Sequence, residues 1–193
     1  MSEYGPTDHW FEYNGERLEM YYHLYNLTHV NERCVELAIA HAWLARQESQ
    51  SLGIEVGNVL GHYWRREHMV IDKEEPPAWY QREQPYCQAD VFGLVSSRAP
   101  WVVSLSTIEH TESPVDALGI LTDFAPVGLV SFPTGVDPTL DLWLEAGAPG
   151  PYSVRTLCRV QNDHGGWEQT PLPQVRSYGH WANSVAIVEW DRS

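Results

Sequence analysis

The sequence predicts a three-layer α/β domain with a mostly parallel sheet, closed by an antiparallel pair of C-terminal strands. Three observations carry this. The apolar, β-branched run over 52–56 has no polar alternation and suits a strand buried on both faces, and it runs straight into a turn bracketed by Gly57 and Gly61. A second apolar run, Met69-Val70-Ile71, stops at Asp72. Helix and strand patterns then alternate as far as residue 146.

Taken in order, residues 1–29 are aromatic and irregular, with 16–25 a helical candidate. The segment is expected either to cover the site as a lid or to pack on the sheet edge. Residues 31–47 form the clearest helix, since Val35, Ile39, Ala42 and Trp43 share a face. Thr28 or Asn31 caps its start, and Arg33 in the first turn either points toward a ligand or lies on the surface. Glycine at the end of the first buried strand lets backbone approach a ligand, and an acidic residue ending the next strand is placed to bind ribose hydroxyls. A short helix over 59–66 is expected to offer its N-terminal N–H groups to a carboxylate or phosphate. Residues 74–88, with Pro76, Pro77 and Pro85, read as an irregular crossover, and strand three is expected near 86–89. Strand four spans 100–105, and its following loop, 106–110, lies where open α/β sheets place their sites. Ser113 and Pro114 open a helix through Phe124. Strand five follows over 127–132, and Asp137 in the loop at its end is placed to contact substrate or, the better reading, to cap a helix over 139–146. The closing strands are expected over 152–160 and 183–190, and the loop between them is expected to reach over the substrate mouth.

The chain of 193 residues fits one domain. Its parts are 1–29 as a lid segment, 30–145 as the binding core, and 146–193 as closing strands and loop. The net charge is −14 and Lys73 is the single lysine, which argues against a phosphate backbone as partner. Cys34, Cys87 and Cys158 are odd in number and far apart, so neither a disulfide framework nor a metal site is expected, and a reducing compartment fits. No signal-peptide pattern or apolar run of membrane-spanning length is visible, so a cytoplasmic location off the membrane is expected. Nine Trp and ten Tyr serve core packing or a pocket, and an interface for a homodimer is left open.

Glu55-Val56-Gly57-Asn58-Val59-Leu60-Gly61 resembles the first motif of class I S-adenosylmethionine-dependent methyltransferases, acidic-x-Gly-x-Gly-x-Gly, with Val59 in place of the middle glycine. Val70-Ile71-Asp72-Lys73, Ala89-Asp90-Val91, the run over 101–110 and the run over 127–133 resemble later family elements in order. The resemblance implies a Rossmann-like fold, S-adenosyl-L-methionine as cofactor, and methyl transfer to a small-molecule acceptor such as a natural-product or sugar intermediate. It further implies that Glu55, Gly57, Asn58 and Gly61 hold the methionine part, Asp72 with Lys73 the ribose side, and Asp90 with Val91 the adenine. Ser106 to His110 would face the transferred methyl, with His110 or Glu109 as proton acceptor where the acceptor needs one. No metal is implied. Two rivals stay open: another reaction of the same cofactor, such as cyclisation or elimination, and a scaffold without activity.

Overall fold

The computed structural model describes residues 9–47, 53–64, 68–74, 85–94, 99–160, 166–171, 173–177 and 181–192. Arg65 and Arg66, most of the crossover after residue 74, and residues 161–165 of the C-terminal loop lie outside them.

The chain opens with a hairpin, β1 (Trp10–Tyr13) and β2 (Glu16–Glu19), followed by a 3₁₀ stretch over Tyr25–Val30 and helix α1 (Arg33–Gln47). Five parallel strands follow: β3 (Ile54–Val56), β4 (Met69–Asp72), β5 (Tyr86–Gln88), β6 (Trp101–Leu105) and β7 (Val127–Pro133). Helix α2 (Pro114–Phe124) joins β6 to β7, and α3 (Pro138–Glu145) follows β7. Strands β8 (Ser153–Arg159), β9 (Trp167–Thr170) and β10 (Ser184–Asp191) complete an eight-stranded sheet ordered β5-β4-β3-β6-β7-β10-β8-β9. The last three pair antiparallel, β10 with both β7 and β8, and β8 with β9. This is the Rossmann-like three-layer arrangement. The chain steps outward from β3 to β5, then returns to β6 on the other side of β3, so strand order reverses between β3 and β6. Sheets of this kind open a crevice at that point, outside the strand carboxyl ends.

Strand periodicity sorts the core into two layers. Trp101, Val103 and Leu105 of β6 face α1, together with Val185 and Ile187 of β10. Val102, Ala186 and Val188 face α2 and α3. All seven residues of β7 are buried, as a central strand covered on both faces requires. Helix α1 buries every residue from Cys34 to Ala40, more than the single face its sequence pattern suggests.

The expected helix over 16–25 is instead the hairpin and an extended connection. Asn14 and Gly15 adopt φ of 51° and 79°, the left-handed pair that a tight two-residue hairpin turn needs. Phe11 and Tyr13 pack into the α1 layer, and the Tyr13 hydroxyl donates to Glu189 Oε1. Asn14 N donates to Gln169 Oε1 at 2.8 Å, which ties the hairpin tip to β9. The hairpin therefore covers the sheet beside its C-terminal strands. Part of the C-terminal loop expected over the mouth is β9, an added strand at the sheet edge. The expected helix over 59–66 contracts to a 3₁₀ turn at Leu60–His62. Among the described residues no helix is long and apolar enough to cross a membrane.

Phe132 on β7 is fully buried in the α2–α3 layer. Phe132→Ala is expected to lower unfolding free energy by about 3–5 kcal/mol in chemical denaturation, because a cavity adds to the lost transfer term.

Candidate functional site

At the carboxyl end of β3 the chain leaves the sheet through Gly57, whose φ is +87°. Its N–H donates to Ile71 O at 2.9 Å, which holds the turn against β4. A Cβ added at Gly57 would sit 2.1 Å from Thr107 Oγ1, so both conformation and space demand glycine. Val59, at the position where the resembled motif has its middle glycine, has φ −105° and ψ −55°. A β-branched side chain is unstrained there, which is why the substitution is accommodated.

The turn is held from below. Glu55 is buried, and its Oε1 accepts from Val59 N at 2.7 Å and Leu60 N at 2.5 Å. Its Oε2 meets His68 Nε2 at 2.7 Å. Asn58 N donates to Asp72 Oδ2 at 2.9 Å. The backbone donors of residues 57–60 are thus engaged within the protein, and the anion-binding helix N-terminus expected from the sequence does not form. The physical reason is local: a buried carboxylate one strand residue before the turn captures the N–H groups a helix would leave open.

Asp72 closes β4 beside this turn, and its Oδ1 accepts from Glu74 N at 2.8 Å. Asp90, after β5, accepts from Phe92 N at 3.1 Å through Oδ1 and meets Lys73 Nζ at 2.9 Å through Oδ2. The lysine's hydrogen bond holds the Asp90 carboxyl below its usual range, and the pair is exposed. Buried Val91 and Ile71 place apolar surface between these two acids.

On the other side of the reversal, Ser106 follows β6 with φ +41°. Its hydroxyl donates to Glu36 Oε1 at 2.7 Å, as does that of Ser131 on β7. Glu36 is fully buried on α1, and its Oε2 lies 3.1 Å from Arg33 Nη1, which also reaches Leu105 O at 3.5 Å. Glu109 is turned inward and buried, while His110 is turned out, 3.8 Å away, with 73% of its side chain exposed. Burial, then the like charges of Glu36 and Glu32, push the Glu109 carboxyl up to about 8.

A cavity of about 460 Å³ joins these pieces across the carboxyl ends of β3, β4 and β6. Of the residues singled out in the sequence, Gly57, Asn58, Asp72, Lys73, Asp90, Val91, Ser106 and His110 line it. Glu55, Gly61 and Glu109 stand behind its wall. Thr107, inside the loop read as facing the methyl, lines the cavity and packs on Gly57, and sequence reasoning missed the aromatic side formed by Tyr25 with His62 and Tyr63. Tyr25 stacks on His62 with centroids 4.5 Å apart, and Tyr63 meets Tyr25 edge-on at 5.6 Å. Among the described residues of this first segment, 9–29, it is therefore Tyr25 and Asn26, and not the hairpin, that border the cavity. Arg33 is on the wall, as its first-turn position allowed. Among the described residues no cluster of side chains suits a metal ion.

No protein-family model and no curated protein sequence matches the chain. Solved structures do resemble it loosely. The methyltransferase domain of bacterial CtHen1 shares 14% identity at a TM-score of 0.44, over 78% of this chain and 96% of that one. A protein of Thermoplasma acidophilum shares 13% at 0.48, over 84% and 91%. Magnesium protoporphyrin IX methyltransferase from Synechocystis, solved with bound SAM, shares 11% at 0.46, over 84% and 85%. Likeness this distant says nothing of chemistry, which rests on the residues.

Two outcomes are expected. Gly57→Ala adds left-handed strain of about 1–2 kcal/mol to the clash with Thr107. Pairing it with Thr107→Ala removes the contacts at Oγ1 and Cγ2 but leaves the one at Thr107 Cβ, 2.8 Å away, so it should recover part of the clash and none of the strain, read as the unfolding midpoint. Glu109 holds its proton in the folded state up to about 8, far above its unfolded value. Its contribution is therefore complete at low pH and is lost as pH rises from about 4.5 toward 8. Denaturation across that window should show a falling stability that Glu109→Gln flattens.

Proposed function

We propose that the protein binds S-adenosyl-L-methionine in this cavity and transfers its methyl group to a small-molecule acceptor. The observation that carries the reading is the pairing of two strand ends. Gly57, with no room for a Cβ, and Asp72, the carboxylate that closes the neighbouring strand and bonds Asn58 N, stand side by side on one cavity wall. The volume suits a ligand of nucleoside size or larger. In this reading Asp72 takes the ribose hydroxyls, Ile71 and Val91 pack on the adenine, and Asp90 with Lys73 borders its edge. Gly57 and Asn58 bring backbone close to the middle of the ligand. Arg33, on the wall near Ser106, suits the ligand's carboxylate.

Glu55 is assigned a positioning role, because both its oxygens are spent inside the protein. Gly61 is assigned to the same scaffold. Ser106 and Thr107 border the place where the acceptor meets the methyl, with His110 the exposed group able to take a proton there. The bound cofactor supplies a methyl already activated on a sulfonium, so the protein's task is alignment and exclusion of water. Tyr25, His62 and Tyr63 form the aromatic side on which an acceptor of small size stacks. The overall charge of −14 supports a neutral or cationic acceptor over a nucleic acid.

Calorimetric titration with S-adenosylmethionine and S-adenosylhomocysteine tests the reading. Both are expected to bind, and Asp72→Ala is expected to weaken them by about 1–3 kcal/mol, since it removes a carboxylate that also orders the turn. Absence of binding by the intact chain would overturn it. Transfer of labelled methyl to an acceptor, against release of a cyclised or eliminated product, separates methyl transfer from other chemistry of the same ligand.

A further inference from the structure

Behind the cavity wall the charges do not balance. Helix α1 contributes Arg33 and Glu36, the residue just before it is Glu32, and the turn after β6 contributes Glu109. Three buried carboxyl groups thus gather around a single wall-lining guanidinium. Arg33 Nη1 lies 3.1 Å from Glu36 Oε2. Oxygen Oε2 of Glu109 and Oε2 of Glu32 are buried and have no hydrogen-bond partner among the described residues. The other groups that face the cluster are Arg159 from β8, whose charge acts on Glu32 and Cys34, Tyr63 from the turn after β3, the Cys34 thiol and His110. Burial pushes the Cys34 thiol up to about 12 and raises the Tyr63 hydroxyl too, so neither carries charge at neutrality.

The cluster is wired to the cavity. Arg33 and Ser106 line the wall and bond to Glu36, and His110 lines it beside Glu109. Burial, and then the like charges of their neighbours, disfavour ionisation of Glu109 and Glu32, so the cluster retains a proton. A positive charge entering the cavity stabilises the ionised form and shifts that balance.

We propose that this wall favours a positively charged ligand and that its binding drives a proton from the cluster to solvent, with Glu109 as the group that releases it. The step is an acid dissociation: the Glu109 carboxyl becomes carboxylate, and the buffer takes the proton. By linkage, affinity for the cation then rises with pH through the range in which Glu109 titrates, and affinity for an uncharged counterpart does not. The inference rests on the cofactor reading above for its pair of probes. S-adenosylmethionine carries a sulfonium charge that S-adenosylhomocysteine lacks; because that charge also makes its amino group more acidic, the proton count and affinity of each ligand are corrected for the titration of its own amino group, measured on the free ligand.

Calorimetry on the full chain in phosphate and in Tris counts the protons released by each ligand. More protons are expected to leave with S-adenosylmethionine than with S-adenosylhomocysteine. The ratio of the two affinities is expected to rise about fivefold between pH 6 and 8.5, for a coupling at the low end of the usual range. In Glu109→Gln the ratio should be flat. The wild-type proton count decides the matter even where that variant fails to fold. Equal counts with a flat wild-type ratio would overturn the proposal and leave the cofactor reading standing. Failure of both ligands to bind would overturn both.

Discussion

One buried carboxylate organises the functional end of the molecule. Glu55 sits on the strand at the centre of the reversal, and it bonds forward to Val59 and Leu60 and sideways to His68. A charge so enclosed is tolerable only with its oxygens occupied, and removing a partner leaves a buried acceptor unsatisfied. The consequence is a turn whose shape is set from inside. Gly57 is pressed against Thr107, the next N–H is handed to Asp72, and β4 is joined to β3 at the rim. The cavity inherits a stiff floor without contributing to it.

Electrostatics divides the cavity in two. Around Asp72, Lys73 and Asp90 the charges are exposed, paired and screened by water, and so worth little individually. Around Arg33 they are buried, and the excess is of carboxyl groups. The same low dielectric that makes such a cluster expensive also makes it responsive to an incoming charge. The serines of β6 and β7 that donate to Glu36 moderate the expense without neutralising it. Stability and binding are therefore linked through the same side chains, as is common where titrating groups gather at a cleft.

Much of this was legible in the residues. Apolar runs marked β3, β4, β6 and β7, the helix pattern marked α1, and Asp137 was read as a cap that indeed accepts from Thr139 N and Leu140 N. The adjacency of Gly57 and Asp72 followed from strand order alone. Other features depended on tertiary partners. Asn14-Gly15 is a strong hairpin signal, but it was masked by the aromatic residues around it, and Phe11 and Tyr13 prove to be core residues. Strand β9 is short and amphipathic in neither period, and exists by pairing with β8. The inward turn of Glu109 and the capture of turn N–H groups by Glu55 have no one-dimensional signature, because spacing cannot show which way a side chain faces.

The central claim is that the strand end shaped by Glu55 and the neighbouring one closed by Asp72 cradle a nucleoside. A crystal structure of the protein with S-adenosylhomocysteine tests it most directly. The account predicts ribose hydroxyls within hydrogen-bond distance of the Asp72 carboxylate, with the ligand's backbone-facing side against Gly57. A ligand seated elsewhere on the protein, with Asp72 bonded only to Asn58 and Glu74, would contradict it.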